Sequence, residues 1–131
     1  MTSIAGKWLL HGSTLGSDGS TLYEWDADMT IIESGDIVKI AMETKGISGS
    51  NIENYKSSRS ISYAEKLSKM DSGEWQLRFG YEADPNHHAT ADHDFFGLTQ
   101  LRFSQDMNNA VGSSCNYNGR YVIIKLTAKR D

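Results

Sequence analysis

Cysteine and proline are nearly absent. Cys115 is the single cysteine, so no disulfide can form within the chain and nothing points to an oxidising compartment. Gly112, Ser113, Ser114 and Asn116 around it supply no base to activate a thiol, and a small, half-buried strand residue is expected there. Pro85 is the only proline, and it falls in the longest loop, Ala83 to Asp94. No apolar stretch approaches the roughly 18 residues that a membrane helix requires. The opening Met1-Thr2-Ser3-Ile4-Ala5-Gly6-Lys7 has neither a long apolar core nor a cleavage-site pattern. No membrane segment and no signal peptide are therefore expected in these residues, and the setting read from them is cytoplasmic.

Positive charge is also scarce. Thirteen Lys and Arg face seventeen Asp and Glu, a net charge of -4, and no run of one sign occurs. A protein that coats a nucleic-acid polymer needs a basic face to neutralise many phosphates, and this composition argues against one. A small anionic ligand needs only one or two local cations and stays open. Gly-x-Ser-x-Gly elbows and phosphate loops are missing, and the carboxylates are scattered. No catalytic residue, no cofactor and no enzymatic activity are expected.

Alternation with a period of two is abundant, whereas helical spacing of apolar residues is not. Trp75, Leu77, Phe79 and Tyr81 alternate with Gln76, Arg78, Gly80 and Glu82. Val38, Ile40 and Met42 form a second such face, and Val122, Ile124, Leu126 and Ala128 a third. Further strands are read at Gly6–His11, at Thr21–Ile32 as one long or two shorter strands, at Ser60–Leu67 with Ile61, Tyr63 and Leu67 inward, and at Phe95–Ser104 with Leu101 and Phe103 inward. Ser17-Asp18-Gly19-Ser20, Ser34-Gly35-Asp36, Asp71-Ser72-Gly73 and Asn118-Gly119 supply turns, and Gly46-Ile47-Ser48-Gly49-Ser50-Asn51 reads as a loop. Eight or nine strands with one apolar face each fit one domain over residues 1–131. The expected fold is all-β, a closed antiparallel up-and-down barrel of about eight strands, because closure leaves no open edge.

Gly6-Lys7-Trp8 stands where lipocalins, fatty-acid carriers and avidins place a Gly-x-Trp on the first strand, with the tryptophan closing the barrel floor. In the C-terminal half, Leu77-Arg78-Phe79-Gly80-Tyr81-Glu82-Ala83-Asp84-Pro85 precedes a His-containing loop. Phe96-Gly97-Leu98-Thr99-Gln100-Leu101 follows, then Gly112, Tyr117-Asn118-Gly119-Arg120, Leu126 and Arg130. This set resembles the ligand-sensing barrel of the two-transmembrane β-barrel effectors of bacterial CBASS anti-phage systems. The resemblance implies a barrel that recognises a cyclic nucleotide made on infection, and whose recognition drives oligomerisation. The membrane helices of that family are absent from this sequence. The resemblance thus implies either the cytoplasmic sensor domain of an inner-membrane protein or a barrel that binds the ligand alone and sequesters it.

A cyclic nucleotide needs aromatic faces for its bases and a cation or backbone donors for its phosphates. Tyr23 and Trp25 share one strand face, Tyr81 shares one with Trp75 and Phe79, and Tyr117 and Arg120 flank the Asn118-Gly119 turn. Arg120 has the parity of Val122, Ile124 and Leu126, which directs it inward at a barrel mouth; the alternative is an arginine that curls to solvent with its stem over apolar surface. Glu65 has the parity of Ile61, Tyr63 and Leu67, so it faces inward unless a bulge turns it out. Arg78 lies on the solvent side. His87, His88, Asp92, His93 and Asp94 crowd one loop with no zinc spacing, and a polar lid is expected there rather than a metal site. Two rivals stay open: a lipocalin- or avidin-like carrier of an apolar small molecule, and an interaction domain with a filled core.

Overall fold

A computed structural model describes residues 3–48, 59–83, 95–117 and 121–131. Eight strands run in chain order: β1 (Gly6–Leu15), β2 (Thr21–Ser34), β3 (Ile37–Ser48), β4 (Arg59–Lys69), β5 (Trp75–Ala83), β6 (Phe95–Phe103), β7 (Asn109–Tyr117) and β8 (Tyr121–Arg130). Each pairs antiparallel with the next, and β8 returns to β1 through Trp8↔Arg130 to Leu15↔Ile123, so the sheet closes into a barrel without free edges. The up-and-down barrel read from the alternation is the observed architecture. The turn glycines Gly19, Gly35 and Gly73 all have positive φ, as the turn chemistry demands.

Two ends follow from the connectivity. The floor carries the β2–β3, β4–β5 and β6–β7 turns, and the mouth carries the remaining connections. Trp8 is fully buried at the floor, where its ring meets Phe103 edge-on at 5.0 Å and its Nε1 donates to the Ile4 carbonyl at 2.9 Å. Arg130 lies over the indole, 4.6 Å from its centroid. The guanidinium donates to three backbone carbonyls, those of Met107, Ala5 and Ser3, at 3.0, 2.8 and 2.8 Å. This one side chain ties the last strand to the N-terminal segment and to the β6–β7 turn. Leu10, Met29, Ile31, Ile40, Leu77 and Leu101 fill the lumen above it.

Three expectations from the sequence are corrected. Ile61 and Tyr63 point outward, 67% and 39% exposed, while Ser62 between them is 4% exposed. Ala64 adopts a φ of 53° and the β4–β5 register shifts between Tyr63 and Lys66, so an extra residue flips the parity of the strand halfway along. Gly46-Ile47-Ser48 belongs to β3 rather than to a loop: β2 is a single strand of 14 residues, and its upper part offers Asp26, Trp25 and Glu24 as ladder partners. Cys115 lies on β7, but on its outward face, and is exposed.

Candidate functional site at the barrel mouth

Inward positions change character along the barrel. Near the floor they are Leu, Ile, Met, Trp and Phe; toward the mouth they become Thr14, Thr99, Ser114 and Asn116, together with Tyr23, Trp25 and Tyr81. Trp25 pairs with Gly12 across β1–β2, and its ring lies flat over that glycine. A Cβ on Gly12 would stand 2.2 Å from the indole, so the absent side chain is what lets the ring lie against the wall. Its Nε1 donates to the buried Thr14 hydroxyl at 3.2 Å.

Tyr81 is held in the same way on the opposite wall. It pairs with Gly97, where a Cβ would fall 2.5 Å from the phenol oxygen and from the Cys115 carbonyl oxygen. The phenol crosses β6 and reaches β7, where its oxygen accepts from Asn116 Nδ2 at 2.8 Å and stands 3.2 Å from Ser114 Oγ. Ser114 Oγ in turn accepts from Thr99 Oγ1 at 3.1 Å and donates to the Leu98 carbonyl at 3.1 Å. Burial raises the Tyr81 pKa above its ordinary value against the opposing pull of Ser114 and Asn116, so the phenol keeps its proton. Asn116 Oδ1 is shielded from solvent and accepts no hydrogen bond, the one such side-chain atom among the described residues.

Glu65 faces the barrel wall between β3 and β4, with its side chain 11% exposed. Among the described residues these strands pair through three positions, Ala41↔Ile61, Met42↔Ser60 and Glu43↔Arg59. Below them side chains replace the ladder. Ser62 Oγ accepts from the Ile40 N–H at 2.8 Å and donates to Glu65 at 2.6 Å, and Lys39 reaches the same carboxylate at 2.9 Å. Burial alone would raise the Glu65 pKa, but the Ser62 and Lys39 contacts outweigh it, and the group titrates below its ordinary value. A lateral cleft of about 580 Å³ opens beside it, lined by Glu33, Asp36, Ile37, Val38, Lys39 and Leu67. A second cleft of about 680 Å³ lies on the flank along Leu9, His11, Asp26, Asp28 and Lys45. His11 there holds Asp26 at 2.8 Å and Glu24 at 3.0 Å, and those bonds raise its pKa.

The sequence-derived candidates are thus not gathered at one point. Tyr23, Trp25 and Tyr81 are half-buried on the inner wall near the mouth. Glu65 sits apart at the β3–β4 seam, and Tyr117 is 54% exposed on the outer wall, tilted at 59° against Tyr121 with ring centroids 4.9 Å apart. Tyr117 points out because Ser114 and Asn116, of opposite parity, point in. Arg120 and the loop with His87, His88, Asp92, His93 and Asp94 lie outside the described residues. Among the described residues no group of three or more His, Cys, Asp or Glu is placed to hold a metal. Ser114 and Asn116 escaped sequence reasoning because β7, Asn-Ala-Val-Gly-Ser-Ser-Cys-Asn-Tyr, has no apolar alternation to announce its inner face, whereas Thr99 on β6 shares the parity of the inward Leu101 and Phe103 and could have been read from it. The small and polar residues at every second position were the available signal.

Outside, a row of neighbours in register runs around the barrel: Tyr63, Gly80, Leu98, Cys115 and Ile123. Phe96, Tyr117 and Tyr121 lie toward the mouth from it, at 68, 54 and 89% exposure. No helix among the described residues is long and apolar enough to cross a membrane.

No curated protein and no solved structure matches the chain. A family model does, that of the Cap15 cyclic dinucleotide receptor domain, over residues 1–130. A match of that extent takes in all eight strands, the Trp8–Arg130 floor and the polar mouth together, and the chain belongs to this family of ligand-sensing barrels of CBASS anti-phage effectors.

Proposed function

We propose that this barrel binds a cyclic dinucleotide at its mouth, with a base against Trp25, Tyr23 or Tyr81 and phosphate on Arg120 and nearby backbone amides. The observation that carries the reading is the hydroxyl-and-amide lining around Tyr81 and Asn116 in a chain of the cyclic dinucleotide receptor family. Among the described residues the one inward-facing cation is Arg130, and its donors are taken up at the floor. The phosphate role therefore falls to Arg120, on its parity with Val122, Ile124 and Leu126. The role is recognition without turnover, in the cytoplasm, where a nucleotide made on infection arises. An apolar-ligand carrier is not favoured, because the part-exposed inner wall is polar while the apolar lumen below it is packed.

Binding then favours association of barrels through the exposed apolar row that ends at Phe96, Tyr117 and Tyr121. Contiguous apolar surface of this kind marks interaction sites in soluble domains. Calorimetry against cyclic di-AMP, cyclic di-GMP, cyclic di-UMP and mixed or trimeric relatives tests the reading. At least one member binds with micromolar or tighter affinity, and Arg120→Ala weakens it by about 1.5 to 3 kcal/mol, the range of a charge-assisted contact. Absence of heat across the panel removes the proposal. An unchanged sedimentation coefficient at saturating nucleotide removes the association step alone.

A further inference from the structure

We infer that Trp25 is the residue on which a base of the bound nucleotide stacks, and that Gly12 and Thr14 are positioning residues that hold its indole flat on the wall with one face toward the lumen. This role rests on the proposed cyclic dinucleotide site and selects one ring among the inward aromatics there.

Trp25 shares the inward parity of Ala27, Met29 and Ile31, yet unlike them it is only half-buried. One face of its ring is covered. Gly12 stands opposite in the β1–β2 register, and a Cβ there would overlap the indole at Cε2, Cζ2 and Nε1. No L side chain fits between the ring and the strand, so the glycine acts through what it lacks. Thr14, two residues on and fully buried, fixes the rim: its hydroxyl accepts from Nε1 at 3.2 Å. An indole N–H can only donate, so this contact has one polarity. The wall is also pinned from outside, where His11 bridges Asp26 and Glu24, the residues on either side of Trp25, at 2.8 and 3.0 Å. Support from β1 matters here because the β2–β3 register shifts between Asp26 and Ala27.

These contacts leave the lumen side of the ring for a ligand. A broad π face whose single polar atom is already bonded can be covered by a base without stranding a donor. Tyr23 and Tyr81 offer narrower faces, and the Tyr81 oxygen is engaged with β7. A ring held in place before the ligand arrives also loses little rotamer freedom on binding.

Calorimetry with the tightest-binding member of the cyclic di-AMP, cyclic di-GMP and cyclic di-UMP set tests this, with circular dichroism melts to show that each variant folds. Trp25→Leu is expected to lose about 10- to 100-fold in affinity, and Trp25→Phe, which keeps a ring, clearly less. Thr14→Val keeps the size but removes the acceptor and should cost about 3- to 10-fold, whereas Thr14→Ser should stay within about twofold of the parent. Gly12→Ala pushes the ring off the wall and should cost about tenfold or more. Trp25→Leu binding like the parent, or Thr14→Val binding as well as Thr14→Ser, overturns the inference. Should Gly12→Ala fail to fold, the Thr14 pair decides.

A prop that merely stabilised the barrel would not move the ring, so ring position is read separately. In unliganded protein labelled with 5-fluorotryptophan, Thr14→Val shifts or broadens the Trp25 fluorine signal, leaves that of Trp8 in place, and Thr14→Ser restores it. A Trp25 signal unmoved by Thr14→Val overturns the positioning role. Tight binding by the parent with Trp25→Leu unchanged sinks this inference alone, while no binding by the parent to any member sinks the functional reading beneath it.

Discussion

Arg130→Ala is expected to lower the unfolding free energy by about 3 to 5 kcal/mol, the largest stability loss of any single polar substitution considered. The guanidinium donates to three carbonyls that belong to two separate chain segments, and it covers one face of the Trp8 ring. Hydrogen bonds from a charged donor contribute about 1.5 to 3 kcal/mol each, and a cation over an indole about 1 to 2 kcal/mol. The contributions are not additive, since water reaches part of this half-buried site and replaces some donors. The loss is still a large part of the 5 to 15 kcal/mol that holds an ordinary domain together. For a chain of this length it corresponds to a fall in melting temperature of about 11 to 18 °C. Arg130→Lys should recover less than half of it, because one ammonium cannot reach three carbonyls at once. Urea unfolding of the three proteins checks this, and equal midpoints for all three would refute the account of the floor.

Gly97→Val is expected to damage both the mouth and the β6–β7 wall that carries it. The new Cβ would stand 2.5 Å from the Cys115 carbonyl oxygen and from the Tyr81 phenol. Moving the phenol relieves only one of the two clashes: the Cys115 carbonyl belongs to β7, so β6 and β7 must part locally as well, and the phenol leaves its bonds to Asn116 and Ser114. Overpacking against backbone lies at or above the usual range of about 1 to 3 kcal/mol, so the melting midpoint falls as well. Nucleotide affinity should fall at least tenfold, because the displaced ring no longer holds the Asn116 amide and blocks the mouth instead. Paired melting and calorimetry would show the two effects apart. A folded Gly97→Val protein that binds like the parent would separate Tyr81 from the ligand.

The barrel was legible because six of its faces obey a two-residue period and its turns carry glycine where positive φ is needed. Trp8 was read as a floor residue from Gly6-Lys7-Trp8, and it lies there fully buried. What escaped was local. The parity of β4 could not be followed through the bulge at Ala64, since alternation carries no mark of an inserted residue; Glu65 nonetheless faces in while Ile61 and Tyr63, which share its parity, face out. Half of the mouth lining escaped for a related reason. A polar inner face looks like an ordinary outer one, and it is the burial of Ser114 and the phenol of Tyr81 reaching across Gly97 that show Ser114 and Asn116 turning inward. The aromatic candidates split for the same cause: Trp25 and Tyr81 lie on the inner wall, and Tyr117 on the outer.

The three tryptophans offer a direct reading of where a nucleotide binds, because they mark different levels of one barrel. Trp25 lies on the inner wall at the mouth, Trp8 is sealed at the floor, and Trp75 begins β5 at the floor end. Fluorine NMR of the protein labelled with 5-fluorotryptophan, titrated with the panel of cyclic dinucleotides, follows all three without any substitution. A saturable shift of the Trp25 signal, with Trp8 and Trp75 unmoved, is the predicted result. Saturable binding by calorimetry that leaves the Trp25 signal in place would put the nucleotide away from the mouth.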